Sequence, residues 1–120
     1  MKIELKQKFF IESARFLPLL PKSHPCAHMH GHSFQITFRL QGETNELGWL
    51  IDYNDIQKSL KPLLSQIDHK VLNEVPGLEN PTTENLCVWL FDRSKKIIPQ
   101  IVQVSIAETR DSECIYPVLG

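Results

Sequence analysis

The chain has 120 residues and a mass of 13.9 kDa, enough for one domain, residues 1–120, with its own hydrophobic core. Thirteen Lys and Arg against fourteen Asp and Glu leave a formal charge of −1, so there is no cationic surplus of the kind nucleic acid requires. No apolar run approaches the roughly 20 residues of a membrane span. The charged, alternating opening MKIELKQKFF is unlike a secretion signal, and an odd cysteine count of three suits a reducing cytoplasm.

In chain order, Ile3 to about Arg15 alternates, with Ile3, Leu5, Phe9 and Ile11 on one face and Glu4, Lys6, Lys8 and Glu12 on the other. Period two over that length predicts a long strand. Leu17–Pro25 carries three prolines and reads as a loop. A second strand follows, with Phe34, Ile36, Phe38 and Leu40 set against Ser33, Gln35, Thr37 and Arg39, ending in the turn-rich QGETNELG. The period then changes. Ile56, Leu60, Leu63, Leu64 and Ile67 make an amphipathic helical stripe, capped from Asp52, Asn54 or Asp55, with a kink or break expected at Pro62. A second helix is predicted from Thr83 to Lys96, capped by Thr82, burying Leu86, Trp89, Leu90 and Ile97 and ended by Pro99. Val102, Val104 and Ile106 alternate again, a turn falls at Asp111-Ser112, and Cys114–Val118 closes the chain. The order β-β-α-α-β-β predicts an α+β fold with two helices on one face of an antiparallel sheet. The open edges of so small a sheet favour assembly edge to edge.

Four of the five histidines, His24, His28, His30 and His32, fall within nine residues. His30 and His32 are two apart at a strand entrance, so their rings share a face at a spacing that suits two ligands of one tetrahedral zinc; a third must come from elsewhere. Cys26, four residues before His30, is a candidate nucleophile or base, since a nearby cation favours thiolate. Cys87 belongs to the helical pattern and reads as a small buried hydrophobe; Cys114 has no evident partner. Asp68-His69 after the first helix is either a helix stop, His suiting the C-terminal dipole, or an acid/base relay in which Asp68 orients His69. Glu108 continues the phase of Val102, Val104 and Ile106, which turns its carboxylate inward, and an inward charge needs a partner. That partner is an ion pair, Arg110 being the nearest cation in sequence, or a ligand with paired N–H donors. A strand ending at Ala107 would remove the requirement.

Cys26-x-x-x-His30-Gly31-His32-Ser33-Phe34, Gly48-Trp49-Leu50-Ile51-Asp52-Tyr53, Asp68-His69-Lys70-x-Leu72-Asn73, Asn80-Pro81-Thr82-x-Glu84 and Glu108-Thr109 together resemble the 6-pyruvoyl-tetrahydropterin synthase family. The short spacing from Cys26 to His30 is similar to the bacterial 6-carboxytetrahydropterin synthases of queuosine biosynthesis. The resemblance covers essentially the whole sequence in order. It implies the tunnelling fold, in which subunits join their sheets into a barrel, usually a homohexamer of two trimers, with sites for a small pterin substrate between subunits. It implies a cytoplasmic lyase acting on 7,8-dihydroneopterin triphosphate, with no nucleic-acid or membrane partner. By the same resemblance His30 and His32 are two of three zinc ligands, Cys26 is the catalytic thiolate, Asp68 and His69 are its acid/base partners across a subunit boundary, and Glu108, with Thr109, anchors the pterin.

One position departs from the family. Where its pattern places a histidine on the first strand, this chain has Ser13-Ala14-Arg15-Phe16-Leu17-Pro18, and Arg15 has no lone pair to give. Three readings follow. His28 supplies the third ligand, through a turn at residues 28–29; Arg15 stands in for the metal's positive charge toward the substrate; or the protein keeps fold and pterin pocket without the standard turnover.

Overall fold

The structure, a computed structural model, describes residues 1–120. Strands β1 (Lys2–Arg15) and β2 (His30–Glu43) form a long antiparallel ribbon, helices α1 (Tyr53–Ser65) and α2 (Thr83–Ile97) follow, and β3 (Ile101–Thr109) and β4 (Ser112–Tyr116) complete the sheet. The sheet order is β1-β2-β3-β4, antiparallel throughout. Alternation dictates its layering: Ile11, Phe34, Ile36, Phe38, Leu40, Val104 and Ile106 point to one face and are buried there against Ile56, Leu60, Leu63, Leu86, Cys87 and Leu90 of the helices. Burying each of the larger apolar groups contributes about 1.5–3 kcal/mol. The outer edge of β1 ahead of Glu12 and the outer edge of β4 have no strand beside them within the subunit.

Both helices start where the sequence places a cap. The Asp52 carboxylate accepts from Asn54 N at 2.9 Å, and Thr82 Oγ1 accepts from Asn85 N at 3.1 Å. Four expectations are corrected. Helix α1 runs unbroken through Pro62, because Pro62 and Lys58, whose carbonyl loses its usual N–H partner, both lie on the exposed face where water can serve that oxygen. In α2 the buried stripe ends on Ile98 rather than Ile97, which is exposed. β2 extends through Gln41-Gly42-Glu43, the first part of the expected turn. The final turn falls at Arg110-Asp111, so β4 opens at Ser112.

The register carries the site. Arg15 at the end of β1 lies opposite His30 at the start of β2. On β3 the pairing slips between Ala107 and Thr109, which face Glu113 and Ser112. Glu108 is the extra residue, a bulge of the kind that re-aims a side chain.

Candidate active site

Arg15, Thr83 and Glu108 meet where the end of β1, the start of α2 and the end of β3 converge. Arg15 is on the core face and only 5% exposed. Its Nη1 donates to Pro81 O at 3.0 Å and to Thr83 Oγ1 at 3.1 Å, and its Nη2 donates to Glu108 Oε1. The guanidinium lies 5.2 Å from the centre of the Phe34 ring, while Nε is buried without a partner. The Thr83 hydroxyl donates in turn to Glu108 Oε1. The inward phase of Glu108 is therefore real, and its cation is Arg15 rather than Arg110. Burial raises the Glu108 pKa, but the bonds from Thr83 and Arg15 and the Arg15 charge outweigh it and hold the carboxyl below its ordinary value. Both internal bonds go to Oε1. Oε2 has no partner and is not among the buried unpaired atoms, and Glu108 lines a groove of about 480 Å³ with Thr83, Glu84, Thr109 and Cys114.

The histidine-rich loop divides by role. His24, unassigned in the sequence, caps the short 3-10 turn Pro25–Ala27: its Nδ1 accepts from Cys26 N at 3.0 Å. Cys26 is half-buried in that turn, and its carbonyl accepts from Leu17 N at 2.8 Å. His28 is exposed, its Nε2 bonded to Lys22 O at 2.9 Å. His30 Nδ1 donates to His28 O at 2.6 Å, which leaves Nε2 as the lone-pair nitrogen. The His30 and His32 rings are 4.6 Å apart. Burial, the Arg15 charge and His30 together outweigh Glu108 and lower the His32 pKa, so that ring is neutral near pH 7.

Asp68 and His69 lie on the free edge of β1. Residues 69–71 run beside it: His69 N donates to Glu12 O at 2.6 Å, Ala14 N donates to Lys70 O at 2.9 Å, and Ala14 bridges Val71 in parallel. Asp68 Oδ1 accepts from Glu12 N at 3.0 Å and contacts His69 Nδ1 at 2.9 Å. His69 has φ +56°, a left-handed conformation uncommon outside glycine. Its ring is 77% exposed, so the imidazole is oriented at Nδ1 and open at Nε2. His69 shares a groove of about 520 Å³ with Glu12, Gly31, His32 and Lys70. Cys26 does not line it. The structure thus brings Arg15 to Glu108 and Asp68 to His69, and shows no hydrogen bond between Cys26 and either member of the dyad.

The 6-pyruvoyl tetrahydropterin synthase family model matches residues 4–118. The chain belongs to that family. A relative from Synechocystis sp. named 6-carboxy-5,6,7,8-tetrahydropterin synthase is 32% identical over 117 residues, 92% of this chain and 89% of its own length. The dihydroneopterin monophosphate aldolase of Pyrococcus furiosus is 32% identical over 76 residues, 63% of this chain and 64% of its own. The solved structure of Caenorhabditis elegans 6-pyruvoyl tetrahydropterin synthase has the same fold, with a TM-score of 0.88 at 21% identity over 97% of this chain and 95% of that one.

Against the zinc ligand set that the family resemblance implies, this protein's donors fall short. His30 has the tautomer of a metal-bound imidazole, its second nitrogen donating to a carbonyl. Yet no three His, Cys, Asp or Glu side chains are placed to hold one ion, His28 is turned to Lys22, and Arg15 lies opposite His30. The residues present do not fit a zinc ion. Three further side chains support the site. Thr83 sits one residue past a recognised cap. Phe34 underlies Arg15. Asn73 accepts from Phe16 N at 3.0 Å and donates to Phe16 O at 2.8 Å, holding the backbone directly after Arg15. Its place in the Asp68–Asn73 motif is the one sequence signal it has.

Proposed function

We propose that this protein is a pterin side-chain lyase of the 6-carboxytetrahydropterin synthase kind, converting 7,8-dihydroneopterin triphosphate to 6-carboxy-5,6,7,8-tetrahydropterin, the reaction that belongs to queuosine biosynthesis. The observation that carries the reading is the Asp68–His69 dyad, a strained, exposed imidazole held by a carboxylate at one nitrogen and open at the other. Strain of that kind clusters at functional sites, and an oriented imidazole is the common means of moving protons near pH 7. A left-handed residue is common just after a helix, but a helix stop alone does not need the Asp68 carboxylate on Nδ1 of an otherwise exposed ring.

In this reading Glu108 Oε2 accepts an N–H of the pterin ring, with Thr109 on the same groove. The Cys26 thiolate removes a proton from carbon in the substrate's side arm, Asp68 and His69 move protons on the hydroxyls of that arm as triphosphate and acetaldehyde leave, and one water is consumed to supply the second carboxylate oxygen. Cys26 makes no bond to the dyad and does not line the His69 groove, which is compatible with a homohexamer in which neighbouring subunits complete each site. The open edges of β1 and β4 support it as well. The likeness to the Synechocystis relative supports the substrate assignment.

The test is product analysis after incubation with dihydroneopterin triphosphate. Carboxytetrahydropterin is expected, with kcat reduced about 10²–10⁴-fold in Cys26→Ala and in His69→Ala. Tight pterin binding without turnover would replace the reading with a non-catalytic pterin-binding protein. A shorter cleavage product from the monophosphate would move it to the aldolase.

A further inference from the structure

We propose that the two-histidine corner excludes divalent metal, with Arg15 as the residue that does so, and that this protein's site works with His30 and His32 as free imidazoles. Zinc in a catalytic site takes three protein ligands and one open position. Here the corner offers two. Arg15 lies across from His30 in the β1–β2 register, on the same face, and it brings a permanent cation with no lone pair. It is not free to swing away: Pro81 O, Thr83 and Glu108 hold its two terminal nitrogens, and it is 5% exposed. Its Nε–H is buried without an acceptor, an uncompensated donor that the fold tolerates to keep the guanidinium where it is. The remaining candidates are committed elsewhere, His28 to Lys22 O and His24 to Cys26 N.

The arrangement also links two sites that a metal would have kept separate. The same guanidinium that closes the metal corner saturates Glu108 Oε1, so Glu108 offers a ligand one oriented oxygen instead of two. Replacing Arg15 by histidine would supply a third ligand at the corner and would leave Glu108 Oε1 with the Thr83 hydroxyl as its one donor.

The inference is tested without substrate, so its failure is distinguishable from failure of the lyase reading. The full-length protein is produced in zinc-supplemented medium and its metal content measured, wild type beside Arg15→His. Wild type should carry close to no zinc; Arg15→His should carry about one per subunit and bind zinc roughly 100-fold or more tightly than wild type. Because Arg15→His strips Glu108 of its cation, Arg15→His/Glu108→Gln is measured as well, relieving the unpaired carboxylate. Independently of any variant, wild type is titrated with zinc while the imidazole nitrogen resonances of His30 and His32 are followed; they should not move at equimolar metal. Stoichiometric zinc in wild type that disappears in His32→Ala overturns the proposal. So does a folded Arg15→His protein, single or double variant, that gains no metal.

Discussion

Arg15–Glu108 and Asp68–His69 are both acid–base pairs at the far end of β1, yet one is closed and the other open. Arg15 is buried on the core face, and its terminal nitrogens are committed to Glu108, Thr83 and Pro81. His69 has 77% of its side chain in solvent and one nitrogen unengaged, on a backbone at φ +56°. The difference is one of place. Arg15 follows the inward phase of β1 into the space under α2, where a buried charge needs an opposite one. Asp68 and His69 lie along the strand edge, where backbone bonds to Glu12 and Ala14 hold the main chain and leave the imidazole exposed. The closed pair positions; the open pair is equipped to exchange protons.

The largest effect that would break this contrast comes from the closed pair. Arg15→Met leaves the Glu108 carboxylate partly buried without its cation, and it should lower unfolding free energy by about 3 kcal/mol, read from denaturant midpoints. His69→Ala should stay within about 0.5 kcal/mol of wild type. Comparable losses in the two variants would erase the distinction. Arg15→Met/Glu108→Gln should recover most of the loss, since neither partner is then left charged and alone.

A smaller effect lies in acid. The Glu108 pKa is lower in the folded protein than its ordinary value of 4.5. Its stabilising contribution is therefore complete above that value and drains away as pH falls through the lower, folded pKa. Unfolding free energy measured through this window should fall less steeply in Glu108→Gln than in wild type. An unchanged slope would mean that Glu108 is not held as an anion by Arg15.

The smallest effect sharpens the other side. Glycine adopts φ +56° without the steric cost that histidine bears, so His69→Gly should stabilise the fold by about 0.5 kcal/mol after the loss of unfolded-state restraint. It should do so while losing the activity proposed above. A destabilised His69→Gly would show that the ring is held for packing rather than for chemistry.

Much of this was legible in the residues. The inward phase of Glu108 followed from alternation with Val104 and Ile106. Asp68-His69 stood out as adjacent proton-carrying groups, and Thr82 as a cap. What could not be read is instructive. Val102 belongs to the same alternation as Val104 but is only half-buried, because a register slip at Arg39/Leu40 places Ile101 in the core instead. Pro62 is harmless because its face of α1 is wet. His24, which the sequence left without a role, is a turn cap, a role that depends on the loop's local geometry.

By itself, then, the sequence determined which side chains face inward and where helices begin. These depend on periods of two and 3.6 residues and on neighbours a few positions away. Only the tertiary structure decided which charges meet. Arg15 and Glu108 are 93 residues apart in sequence, and no local rule pairs them. They meet because β1, α2 and β3 end at one corner of a folded sheet, where a buried cation and an inward carboxylate each require the other.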